Sequence, residues 1–342
     1  MSAVPDFRVT VDGRDITDML RGLVSPARGP KRARLMSLGI TSKRGGDADQ
    51  LDLVLDDSDG ALAFPPTDAK VRVWLGWKRG AGVTPGLIDM GEFVVDELGH
   101  TGPPDLLTIR ARSADFTGSL KTRRDKSWAG TTLGAIVREI AGRHSLKPAC
   151  APALASIAVT TKAQSRESDL AFLRRLGREH DAAATIKGGA LILSPIGAGT
   201  APSGAALPAV TIRRADGDRH DFGRRRREEA EGAEASWHDR SEGRRKTVTA
   251  GKAAGAKKLG RVYGSEAEAK RAASAAAKRA GREPVTLSMT LALGRADLQP
   301  EQRAMVEGLK REIADAKWLI VEVAHALGDR GFTTSVKLET DR

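Results

Sequence analysis

The residues best suited to acid–base or metal chemistry are scattered along this chain. Its six histidines stand at positions 100, 144, 180, 220, 238 and 325, and no two lie four apart on a predicted helix. A single cysteine, Cys150, cannot build a thiolate metal site or an intrachain disulfide, so it reads as a small hydrophobe. His220-Asp221 and His238-Asp239 have the types of an acid–base pair. Neighbours on a strand point to opposite faces, however, so each pairing is weak. His144 and His180 fall at predicted helix C-termini, where the carbonyl ends of the dipole favour partial positive charge.

Other chemical signatures fail on spacing. No serine sits in a Gly-x-Ser-x-Gly elbow. Gly197-Ala198-Gly199 opens like a dinucleotide fingerprint, but Pro202 stands where the third glycine belongs and no helix follows. Gly251-Lys252 and Gly260-Arg261 lack phosphate-loop spacing. Asp56-Asp57 with Asp59-Gly60 lacks the downstream glutamate of a calcium loop and reads as a turn after a strand. The expectation is no catalytic residue, no metal, no cofactor and no enzyme.

Composition narrows the class. With 342 residues and 40% apolar content, the chain can fold into two or three domains with real cores. The first residues, with Pro5 and Asp6, do not resemble a signal peptide, and no apolar run reaches membrane-spanning length. The formal charge is +12, and between Thr211 and Glu283 there are 20 basic against 12 acidic residues. Within that stretch Arg224, Arg225, Arg226 and Arg227 are followed at once by Glu228-Glu229. Mixed sign favours a solvated loop or a protein contact over a phosphate-tracking stripe. The 4% aromatic content also argues against stacking on single-stranded nucleic acid.

The elements that position these residues are mostly strands. Residues alternate in polarity at Phe7–Val11, Met36–Thr41, Leu51–Leu55, Val71–Leu75, Phe93–Asp96 and Leu107–Arg112. The middle changes period. Thr131 or Thr132 caps a helix carrying Leu133, Ile136, Val137 and Ile140, and Ser165 opens another carrying Leu170, Leu173 and Leu176. A hairpin from Ala184 to Ser194 turns at Gly188-Gly189, and Pro195 to Pro208 reads as a linker. Strands then return at Val210–Arg213, Glu234–His238, Val285–Leu293, Met305–Ile313, Trp318–Ala326 and Phe332–Glu339. Between them, Thr247 to Leu259 is polar, Lys-bearing and Gly/Ala-rich, and Ser265 to Glu268 is a capping box opening an Ala-rich helix to about Ala280.

Several strings, in order, resemble the phage late control protein D family of contractile-tail hubs, which is similar to the base of the type VI secretion spike protein. They are Val11 to Thr17, Asp49 with Leu51 to Asp57, Gly91 to Glu97, Pro103-Pro104-Asp105, Ser113-Ala114-Asp115, and Ser119-Leu120-Lys121 through Ser127-Trp128. Gln164-Ser165, Ser168-Asp169 and Phe172-Leu173 follow, then Leu287 to Arg295, Trp318-Leu319 and Gly331 to Thr334. Pro195 to Gly260 matches least.

The resemblance implies an α+β, mainly β fold, with two small hub barrels flanking a helix-plus-hairpin domain. On that basis residues 1–116 are the first barrel and 117–204 the insert. Residues 205–342 are the second barrel, interrupted by a basic loop and helix at about 240–283. Leu51, Leu53, Leu55, Val71 and Val73 are core candidates of the first barrel; Leu287, Met289, Leu291, Trp318 and Ile320 are those of the second. Arg224, Arg225, Arg226, Arg227, Lys257 and Lys258 are candidate partner contacts facing outward.

The resemblance further implies a homotrimer in the virion baseplate, made in the bacterial cytoplasm without a membrane anchor. It would bind the trimeric spike, the tail tube, the tape-measure protein and the surrounding baseplate, with DNA passing through. The competing reading from the pI near 10 is a basic DNA-binding or packaging protein.

Overall fold

The computed structural model describes residues 2–22, 33–45, 48–113, 120, 122–187, 189–197, 199, 207–224, 232–239, 241–282 and 285–340. The first third gives β1 (Val4–Val11), β2 (Arg14–Asp15), α1 (Thr17–Arg21), β3 (Leu35–Lys43), β4 (Gln50–Asp56), β5 (Lys70–Arg79), β6 (Gly86–Thr101) and β7 (Leu106–Ser113). Alternation does its expected work here. Leu51, Leu53, Leu55, Val71 and Val73 are all buried, together with Val9, Ile40, Phe93 and Ile109.

The middle contains β8 (Arg123–Thr132), α2 (Leu133–Arg143), β9 (Lys147–Cys150), α3 (Pro152–Ala155), β10 (Ala158–Ser168), α4 (Asp169–Glu179), β11 (Ala182–Lys187) and β12 (Ala190–Pro195). Thr132 caps α2, its hydroxyl accepting from the Ala135 N–H at 3.2 Å. The second cap is Ser168 rather than Ser165; its hydroxyl accepts from the Ala171 N–H at 3.2 Å. Ser165 lies inside β10, which continues its antiparallel pairing with β8 as far as Ser168↔Arg123. The ladder skips Ser165 and Arg166 in a bulge, where Arg166 takes a φ of 47°, and resumes at Glu167↔Arg124, so the helix starts only after Ser168.

The last part runs β13 (Val210–Arg213), β14 (Gly217–Arg224), β15 (Gly232–Asp239), β16 (Arg244–Gly251), β17 (Lys257–Tyr263), α5 (Glu266–Arg282), β18 (Val285–Leu291), β19 (Arg303–Glu307), α6 (Arg311–Ala314), β20 (Trp318–Gly328) and β21 (Gly331–Thr340). Two expectations are corrected here. The anticipated basic loop is largely the strands β16 and β17, which flank β15 in a three-stranded sheet under α5. The expected strand through Ile313 ends at Glu307 and gives way to α6. Ser265 begins α5 as expected, its hydroxyl accepting from the Glu268 N–H, while the Glu268 carboxylate accepts from Gly264 N–H instead of closing on Ser265.

The fold is mainly β, yet among the described residues no sheet closes into a barrel. The first and last strand sets are halves of one sheet, in the order β14-β18-β21-β20-β3-β4-β7-β6-β5-β1-β2, with β13 and β19 attached beside β20. The join is antiparallel pairing of β20 with β3, from Glu322↔Lys43 to Gly328↔Ser37. Because β3 is hydrogen-bonded to β4 on one side and β20 on the other, it has no edge left with which to close the first set. Leu287, Met289, Leu291, Trp318 and Ile320 are buried in a second core beneath the other half. The insert and the β15–β17/α5 unit each have their own apolar cluster.

Candidate interaction surfaces

Among the described residues, no three His, Cys, Asp or Glu side chains converge as a metal site. The polar groups that do converge tie elements together. Asp169, in the first turn of α4, is fully buried. Its carboxylate accepts from Gln164 Nε2 at 2.8 Å, lies 2.8 Å from His144 Nε2, and meets Arg143 at 3.1 Å and Arg124 at 3.4 Å. Burial alone would raise its pKa, but those hydrogen bonds and the two guanidiniums hold it below the ordinary carboxylate value. One carboxylate thereby fastens α2, β8 and β10 to the start of α4.

A second node joins the insert to the β15–β17/α5 unit. Lys162 of β10 is buried; its ammonium donates to Glu179 at 2.8 Å and stands 3.6 Å from Glu268 of α5. Arg261 of β17 also donates to Glu179, at 3.0 Å. Beside this cluster His180 ends α4 as its C-cap. The dipole argument for a positive imidazole fails here, because burial, with Arg271 and Lys162 nearby, lowers its pKa to about 4 against the pull of Glu179 and Glu268. Desolvation outweighs the few tenths of a kcal/mol that a helix terminus supplies.

His325 of β20 is likewise pushed down to about 4 by burial, against the opposing pull of Asp297. The Arg295 N–H donates to Thr334 Oγ1 at 2.9 Å, and that oxygen lies 2.9 Å from His325 Nδ1. All three groups are satisfied when the Thr334 hydroxyl donates to a neutral Nδ1. Both histidines have folded pKa values below the unfolded value of 6.5, so between about pH 6.5 and 4 the unfolded chain binds more protons. Stability must then fall as pH falls through that window. The expected loss from pH 7 to 4.5 is about 2 kcal/mol per histidine, read by urea denaturation, and His325→Gln should flatten the slope.

The two halves of the large sheet are locked by more than their ladder. The Trp77 indole N–H of β5 donates to the Gly294 carbonyl at 2.8 Å, and its ring lies 5.5 Å from Phe332 of β21. Phe332 and Leu327 sit within the first core rather than the second.

The face of the large sheet opposite these cores changes character along its width. On β4, β7 and β6, cations and anions alternate across strands. Arg110 meets Glu97 at 2.8 Å and Asp52 at 3.5 Å, Arg112 meets Asp96 at 2.7 Å, and Arg72 of β5 meets Asp89 at 2.5 Å. Along most of the join the residues become small and uncharged, while at one end Glu322 meets Lys43 at 3.6 Å and faces Lys337 across the ladder. Gly39 faces Ala326, Thr41 faces Ala324, Ala324 faces Ser335, and Ser335 faces Thr290. The surface is smooth at the seam and locally neutralised beside it.

The ends of this sheet differ. At β1 the edge is covered by α1: Val9 N–H donates to Thr17 Oγ1 at 3.0 Å, Val9 C=O accepts from Ile16 N–H at 3.0 Å, and Arg21 donates to the Phe7 carbonyl. At the far end, among the described residues, β14 ladders with β18 alone, and its last residue, Arg224, is exposed. Arg225, Arg226 and Arg227 lie outside the described residues. Lys257 and Lys258 are exposed on β17, in a different sheet from Arg224. Arg224 and the two lysines therefore do not share one ladder.

Sequence patterns left Thr17 and Arg21 as edge caps, Lys162 as a buried cation and Trp77 as a bolt undetected. An N-cap serine followed by aspartate was the only local sign of the Asp169 node. No helix among the described residues is long and apolar enough to cross a membrane.

The architecture matches a class of solved phage-tail proteins. A tail protein from Neisseria meningitidis MC58 superposes with a TM-score of 0.69 at 14% identity, covering 99% of this chain and 97% of that one. A 43 kDa tail protein of prophage MuSo2 from Shewanella oneidensis gives 0.64 at 13% identity, covering 97% of each chain. An Escherichia coli protein described as a component of the type VI secretion system gives 0.52 at 14%, covering 98% of this chain and 77% of that one. The family model for the phage tail baseplate hub (GPD) matches residues 47–331. Probable baseplate hub proteins of Escherichia phages P2 and 186 are 39% and 38% identical, covering 98% and 99% of this chain and 93% of each relative. The chain belongs to the phage tail baseplate hub family, and it is a structural component of the virion tail.

Proposed function

We propose that three copies of this chain assemble about one axis into a ring joining the tail tube to a trimeric central spike. Each chain would contribute its two β modules, residues 1–116 and the strands of 205–342, as paired positions around that axis, with 117–204 as a peripheral insert. The observation that carries this reading is the shared sheet. Continuous β3–β20 pairing makes the two modules one stiff unit, so a threefold ring would present six related positions.

The small residues along most of the seam and the paired ions at its end and flanks support an inward orientation of the sheet's outer face. A lumen lined with unpaired cations would hold DNA phosphates, whereas paired ions exert little field. The role is then mechanical: hold spike, tube and tape-measure protein until contraction, and afterwards let DNA pass. Arg224 to Arg227, Lys257 and Lys258 would face the surrounding baseplate.

The purified protein is expected to show three times the 36.3 kDa chain mass by light scattering, and a threefold ring in particle images. A chain that stays monomeric at micromolar concentration, with and without its spike, would refute the ring.

A further inference from the structure

From Gly243 to Ser265 the chain carries seven basic residues, Arg244, Arg245, Lys246, Lys252, Lys257, Lys258 and Arg261, and no acidic one. Several are already engaged. Lys246 pairs with Asp239 at 2.7 Å, Arg244 with Glu242 at 2.5 Å and Arg261 with Glu179, while Arg245 donates to Ser236 Oγ at 3.0 Å. Gly251 to Lys258 contains only Gly, Ala and Lys. Seven of its eight residues are exposed, and Ala256 is half-buried. It connects β16 to β17 across the Gly232 end of β15, which lies between them, and Val262, 45% exposed, continues along β17 beyond it.

We infer that this cationic tip seats against an acidic patch on a neighbouring protein of the baseplate, an inference that rests on the hub reading. Small side chains let the partner's surface approach the backbone closely, and the lysines supply the charge. The footprint is too short for nucleic acid. Its few cations would neutralise only about two or three phosphates, and Tyr263, the aromatic at the end of β17, is buried and offers no stacking face. A contact of this kind is steered by charge and weakens as salt rises.

The test is complementation of a hub-deleted, tail-producing strain by the full chain carrying Lys257→Glu with Lys258→Glu, beside Lys257→Arg with Lys258→Arg. The reversed variant should keep the wild-type solution mass and melting profile yet lower the yield of complete tails at least tenfold. The arginine variant should restore it, and suppressors should map to acidic-to-basic changes in another tail protein. Wild-type yield from the reversed variant at both low and raised salt would overturn the inference and leave the hub reading intact. Complete tails with altered DNA release would also overturn it, since the tip would then meet DNA. Absence of the wild-type chain from purified tails would sink the hub reading itself.

Discussion

Replacing Asp169 with alanine is expected to destabilise the protein by about 3–5 kcal/mol, with the loss concentrated in the insert. The carboxylate is fully buried, and alanine would leave Arg124, His144 and Gln164 around a cavity with no anion, and Arg143 with Glu139 as its remaining partner. Trp128 would feel the change too, because its indole N–H donates to Gln164 Oε1 at 3.3 Å and its ring stacks on Phe172 at 5.8 Å. Asp169→Asn keeps one acceptor and the side-chain volume, so it should cost less while still removing the anion shared by Arg124 and Arg143. Hydrogen exchange is the discriminating measurement. Amides of β8, α2, β10 and α4 should exchange faster, while those of β4 and β7 keep wild-type protection. A loss below about 1 kcal/mol would mean that water can replace the carboxylate, contrary to its burial.

Trp77→Ala should cost a similar amount, about 3–5 kcal/mol, but at the join between modules. It removes a buried aromatic, breaks contact with Phe332 and leaves the Gly294 carbonyl without its indole donor. Trp77→Phe retains most of the ring contact and should cost about 1–2 kcal/mol, chiefly for the unsatisfied carbonyl. If Trp77 bolts the halves together, exchange should rise along the β3–β20 ladder in the alanine variant, and tail assembly should fall before global unfolding is detectable. Acceleration confined to the hairpin between β5 and β6 would show that the ladder holds the modules without it.

Much of the architecture was legible because its signals are local. Strand alternation in Leu51–Leu55 and Val285–Leu291 reports burial every second residue, and both segments are strands with that face buried. Thr132 with Leu133, Ile136, Val137 and Ile140 encodes a cap and a helix face within a single segment. The misreadings share a cause. Ser165 has the chemistry of a cap, but it sits in a bulge of β10 whose pairing with β8 resumes at Glu167 and Ser168, and that partner strand lies some forty residues away. The strands β16 and β17 carry a weak hydrophobic signal because their inward residues Val248, Ala250 and Leu259 meet alanines of α5, a thin interface that small side chains suffice to fill.

By itself the order of residues determined a β-rich polypeptide interrupted by capped helices, with its positive charge concentrated in the last third and no grouping of catalytic types. Periodicity and capping act over a few residues, so they survive without any knowledge of the fold. Only the tertiary structure decided that the two strand sets share one sheet through β3 and β20, that His180 and His325 stay neutral, and that Asp169 and Lys162 are buried among opposite charges. These outcomes depend on which distant segment arrives beside a residue and whether water leaves when it does. Strand pairing and desolvation are set by that meeting, not by local sequence.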